Sequence, residues 1–141
     1  MTAYETVFES FRGKISDYDL ALLDDDKEID VLLGLLNNAI ARFGRICSKL
    51  QNRDDTLQCF TDDLTFEEIN ILSEFMIFYW TKPKLYNSDL LKNILSTKDF
   101  NAFSSANLLN QIKDINKLSE QQAKTLMNEY SILNSDLENW R

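Results

Sequence analysis

Histidine is absent from this chain. That removes the most common general acid–base, the most common metal ligand and the usual physiological-pH switch. Three glycines and one proline are too few for the tight turns of an all-β fold, so the chain should be mostly helical. The two cysteines, Cys47 and Cys59, cannot complete a zinc site without histidine. Cys47 reads instead as a small core residue in a helix, and no disulfide is expected. No apolar run approaches the roughly 18 residues of a membrane span. The N-terminal segment MTAYETVFESF carries acids where a secretory signal carries a basic stretch and an apolar run, so a cytosolic product is expected.

Cations are also in short supply. The net charge is −8, and all of the excess lies in residues 1–70, which hold 15 Asp/Glu against 7 Lys/Arg. Residues 71–141 hold 8 of each. Phosphate contacts need clustered Lys and Arg, so a duplex-binding surface is disfavoured. The run from 17 to 30 holds seven acids and one lysine. It reads as a solvated turn leading into a helix start, or as a surface that repels nucleic acid or meets a basic partner.

What is present is helical periodicity within a single domain, 1–141, whose 44% hydrophobic content suffices for a core. The first helix should start at Thr2, where Thr2 and Glu5 have capping-box spacing, and bury Tyr4, Val7, Phe8, Phe11 and Ile15. A linker over 16–25 should lay Tyr18, Leu20, Leu22 and Leu23 on the core. A second helix is expected from about Asp26 to Leu50, with a stripe of Leu32, Leu36, Ala39, Ile40, Phe43, Ile46, Cys47 and Leu50. Gly34 and Gly44 inside it would permit close helix approach. Leu57 and Phe60 should pin the polar connection 51–64, with a short extended piece at 56–60.

The third helix has the clearest start. Thr65-Phe-Glu-Glu68 has the form of a capping box, with Leu64 and Ile69 at staple spacing. Its run 75–80, which includes Phe75, Phe78 and Tyr79, is apolar on all sides, so the helix is central or partly covered by another subunit. Pro83 should end it. A short fourth helix, about Asp89 to Leu95, leads to a loop over 96–104 carrying Phe100 and Phe103. That loop either offers a contact or tucks onto the domain.

The last helix, about 105–137, carries Leu108, Leu109, Ile112, Ile115 and Leu118, then Ala123, Leu126, Met127, Tyr130, Leu133, Leu137 and Trp140. The stripe slips at Ser119–Gln122, itself of capping-box form, so a break there competes with one continuous helix. A continuous helix would extend roughly 45 Å, beyond the diameter of about 35 Å for a compact domain of this size. The core then occupies about 1–118, and the distal half docks on a neighbour. The expected fold is all-α: a small bundle of about five helices with a long C-terminal helix.

Catalytic signatures are missing. There is no glycine-rich phosphate loop, no Ser/His/Asp set and no Cys/His pair. The run DDDKEID at 24–30 lacks the ligand spacing and the turn glycine of a calcium loop. No enzyme activity, cofactor or metal is expected.

The block order resembles a known family. MTAYETVFESFRGKISDYDL is followed by the acidic turn into VLLGLLNNAIARF, then DLTFEEINIL ending at WTKP, LKNILSTKDFNAFSSANLLNQI and a final NEYS. This is similar to head–tail connector (adaptor or neck) proteins of tailed phages and prophages of Gram-positive bacteria. The similarity spans nearly the whole chain; Ser105 departs from it, where proline would be expected. The resemblance implies a structural virion protein at the head–tail interface, made in the bacterial cytoplasm. It implies a homo-oligomeric ring of about twelve copies beneath the portal protein, next to another neck or tail-completion protein. Genome DNA would pass through the lumen without specific binding, and no membrane is involved. Asp24, Asp25, Asp26 and Glu28 are then candidate channel acids. Phe75, Phe78, Tyr79, Phe100, Phe103, Met127, Tyr130, Leu133, Leu137 and Trp140 are candidate partner contacts. The competing reading is an acidic helical regulator that binds a host protein.

Overall fold

The computed structural model describes residues 1–17, 25–86 and 99–139, with side-chain surroundings for 1–15, 29–83 and 110–133. Helix accounts for 78% of it, so the all-α class holds. Four α-helices occur among the described residues: α1 (Tyr4–Asp17), α2 (Asp25–Phe43), α3 (Phe66–Tyr86) and α4 (Asp99–Asn139). The expected helix at 89–95 and the core contacts expected of Tyr18, Leu20, Leu22 and Leu23 lie outside the described residues.

Three two-residue strands form a small antiparallel sheet in the order β1 (Thr2–Ala3), β3 (Cys59–Phe60), β2 (Arg53–Asp54). Thr2 pairs with Phe60, and Arg53 pairs with the other edge of Phe60. This corrects the first helix start. Thr2 is not a cap; its hydroxyl accepts the Leu64 amide at 2.9 Å, tying the strand to the entry of α3. The β2–β3 turn is held by Asp54, whose Oδ1 accepts the amides of Thr56 (2.9 Å) and Leu57 (3.1 Å), and it closes through Gln58 at φ 53°. The extended piece expected at 56–60 is thus Cys59–Phe60, with Phe60 buried and Leu57 exposed rather than pinned.

α3 is the central element, flanked by α1, α2 and α4. Of the apolar run 75–80, Phe75, Met76, Ile77 and Trp80 are buried in the chain's own core, with Phe78 and Tyr79 half-buried. The α1 stripe of Tyr4, Val7, Phe8, Phe11 and Ile15 is buried against this core as its spacing predicts. So are Leu32, Leu36, Ala39, Ile40 and Phe43 of α2.

α2 stops seven residues earlier than its pattern suggests. The chain turns at Gly44, whose amide donates to the Ile40 carbonyl at 2.7 Å, and a 3₁₀ turn, Ser48–Gln51, follows. A Cβ on Gly44 would stand 2.5 Å from the Ile40 carbonyl oxygen and 2.8 Å from Gln51 Nε2, so a side chain does not fit. Gly34 has open space instead. Cys47 and Leu50 remain buried, though not within a helix, and Ile46 turns outward.

α3 does not end at Pro83 but runs through it to Tyr86. A proline removes one amide from the helix ladder. The carbonyl that loses its amide is that of Tyr79; the side-chain donors of this turn sit on its neighbours and tie it to α4. Thr81 Oγ1 donates to Ile77 O (2.8 Å), and Asn116 Nδ2 from α4 reaches Phe78 O (3.1 Å) and Thr81 Oγ1 (2.9 Å).

α4 is one helix of 41 residues, about 60 Å long. It starts before the expected loop ends, because the polar residues at 101–105 include no glycine or proline to stop it. Nor does it break at Ser119. Ser119 is buried and donates to the Asn116 carbonyl at 3.1 Å. The true stripe is Ile112, Ile115, Ser119, Ala123, Met127 and Tyr130, with Ser119 and Ala123 small enough for close approach. Leu118 lies off it and is partly exposed.

Candidate functional site

The distal half of α4 packs on the core through Ala123, Leu126, Met127 and Tyr130 and is tied to it by a hydrogen bond to one carboxylate, Glu68. Thr65 and Glu68 form the capping box their spacing predicts: the Thr65 amide donates to Glu68 Oε1 (2.8 Å), and the Glu68 amide donates to Thr65 Oγ1 (3.2 Å). Glu68 also accepts three further bonds. Lys49 Nζ reaches Oε1 at 3.3 Å, while Tyr130 OH (2.7 Å) and Cys47 Sγ (3.2 Å) both donate to Oε2. Tyr130 meets Phe43 edge-on at 5.1 Å between ring centroids. The end of α2, the 3₁₀ turn, the start of α3 and the middle of α4 therefore meet at Glu68.

The electrostatics make this a lock. Burial pushes the Glu68 carboxyl up, but the bonds from Thr65, Tyr130, Cys47 and Lys49 outweigh it and leave the group below its ordinary range. Burial, Cys47 and Glu68 raise Tyr130 far above an ordinary phenol. Burial raises the Cys47 thiol, which keeps it protonated and a weak nucleophile. At neutral pH the node is one anion ringed by donors, with no member poised to exchange a proton.

The expected contact residues fall into three sets. Phe75 is only 1% exposed in the chain's own core and presents no surface; Phe78 and Tyr79 are half-buried and meet edge to face at 5.1 Å between ring centroids. Met127 and Tyr130 pack on the core, so the domain's own contacts run to Tyr130 rather than ending at Leu118. Ile132 and Leu133, just beyond, are each 59% exposed. Phe100 and Phe103 stand on the first turns of α4 rather than in a loop. Their side chains and that of Leu137 lie outside the described residues, as does Trp140. Asp24 does too; Asp25, Asp26 and Glu28 stand on the first turn of α2, their side chains likewise undescribed.

Sequence reasoning missed Phe66, at 93% the most exposed large apolar residue among the described ones. It also missed the node, because Cys47, Glu68 and Tyr130 share no periodicity. Among the described residues no group of three or more His, Cys, Asp or Glu could hold a metal, and no helix is long and apolar enough to cross a membrane. Comparison with protein-family models, curated proteins and solved structures returns no match.

Proposed function

We propose that this chain is a structural virion protein, a head–tail connector whose long C-terminal helix docks on the portal. The observation that carries the reading is the surplus length of α4. Its intramolecular anchoring reaches Tyr130, yet the helix continues to Asn139 and presents Ile132 and Leu133 at its surface. A helix of about 60 Å on a domain of about 35 Å extends past what its own core requires. The order of sequence blocks supplies the partner class: a portal ring, further copies of the chain and a neighbouring neck protein. The acidic first half suits the wall of a DNA passage, since a lumen must not hold phosphate.

Mass photometry of the chain mixed with the portal protein of the same genome tests the reading. Many copies should assemble on each portal. Deleting residues 131–141, which spares the Tyr130 anchor, should abolish assembly while leaving helical content nearly intact. Unchanged assembly by the truncated chain would refute the docking arm. A soluble one-to-one complex with a host enzyme, without portal binding, would favour the regulator reading.

A further inference from the structure

A groove runs along the face where α1, the start of α3 and the middle of α4 meet. It comprises two adjoining depressions of about 790 and 390 Å³ that share Asn70 and Leu126. Its apolar wall is Phe66, Ile69, Leu126 and Leu118. Phe66 stands almost wholly in water at the first position of α3, so the site is an open trough rather than an enclosed small-molecule pocket. Three carboxylates, Glu9, Glu67 and Glu74, line it, and no Lys or Arg is among the described lining residues.

Glu74 is the second, independent observation. It is 5% exposed, and Lys14 occupies only its Oε1, at 2.7 Å. Its Oε2 is buried with no hydrogen-bond partner among the described residues. A buried carboxylate oxygen without a donor is an exception in folded proteins. A small rotation of the Glu74 side chain would offer Oε2 to a donor in the groove, and a cationic donor would also complement Glu9 and Glu67, while Lys14 already balances Glu74.

We propose that this groove docks a cationic amphipathic segment of another protein. Its apolar side chains lie on Phe66, Ile69 and Leu126, and one Lys or Arg reaches Glu74 Oε2. The stretch of α4 along the groove, 118–126, spans about 12 Å, enough for two turns of a helix. The acids exclude nucleic acid as occupant. The surface is separate from the exposed end of α4, so it stands or falls independently of portal docking.

The test is to pan a random peptide library against the full chain and titrate the enriched peptides against wild type, Phe66→Ser and Glu9→Gln/Glu67→Gln. All three replaced side chains are exposed, so the melting temperature reports that the fold is retained. Enriched peptides should combine Lys or Arg with helically spaced apolar residues. Either variant should weaken them about tenfold or more, and added salt should weaken them further. Winners without cations, undiminished binding to both variants, or no winner would each overturn the proposal. So would self-association of the wild type that Phe66→Ser abolishes, because the groove would then belong to a second copy.

Discussion

Tyr130→Phe removes one oxygen from the node that holds α4 down. The phenol donates to Glu68 at 2.7 Å, and the substitution retains the ring and its edge contact with Phe43. A hydrogen bond to a charged partner contributes about 1.5–3 kcal/mol, and the half-buried position of Tyr130 argues for the lower figure. For 141 residues the unfolding entropy is about 0.3 kcal/mol/K, so about 1.5 kcal/mol lowers Tm by about 5 °C. The loss should also be local. Hydrogen exchange of amides in 124–139 should quicken roughly tenfold, with α1 affected less. Calorimetry and exchange mass spectrometry read both effects. A Tm within about 1 °C of wild type, with unchanged exchange in α4, would refute the lock.

Four further outcomes are expected of the same structure. Glu68 titrates below its ordinary 4.5, so its stabilisation is complete above that pH and is lost as pH falls through the folded value; Glu68→Gln should be less stable at neutral pH and flatten the acid limb of a urea-melt series. Tyr4, pushed up to about 12 by burial and then by its bond to Asp55, contributes fully below pH 10 and loses that contribution as pH climbs towards 12; Tyr4→Phe should flatten the alkaline limb. Gly34→Ala should stabilise by about 1 kcal/mol, whereas Gly44→Ala should destabilise by about 1–3 kcal/mol, as chemical denaturation would show. Leu133→Asp should leave Tm within about 1 °C while removing portal assembly, because its side chain is largely exposed.

The groove and the end of α4 are distinct surfaces with different chemistry. One is acidic around an apolar wall, and the other presents Ile132 and Leu133, each largely exposed, just past Tyr130. Along α4 the groove is lined by residues between 118 and 126, and the Tyr130 contact with Glu68 follows it before Ile132 and Leu133.

Local chemistry determined much of this protein from its sequence. The scarcity of glycine and proline implied helices. The α1 stripe read correctly because its apolar side chains repeat at helical spacing. The Thr65–Glu68 box read correctly because a cap is complete within four residues. Tertiary structure decided the rest. Ser119 belongs to the core because α3 passes close to it, so a polar letter concealed an unbroken stripe. Pro83 lies inside its helix, and the turn before it is tied to α4 where Asn116 donates to the Phe78 carbonyl. Glu68 could be read as a cap from its own segment, but its second role depends on Cys47 and Tyr130, brought to it from 21 and 62 residues away. Spacing along the chain encodes which face of a helix is apolar; it does not encode which distant side chain will stand opposite a given carboxylate.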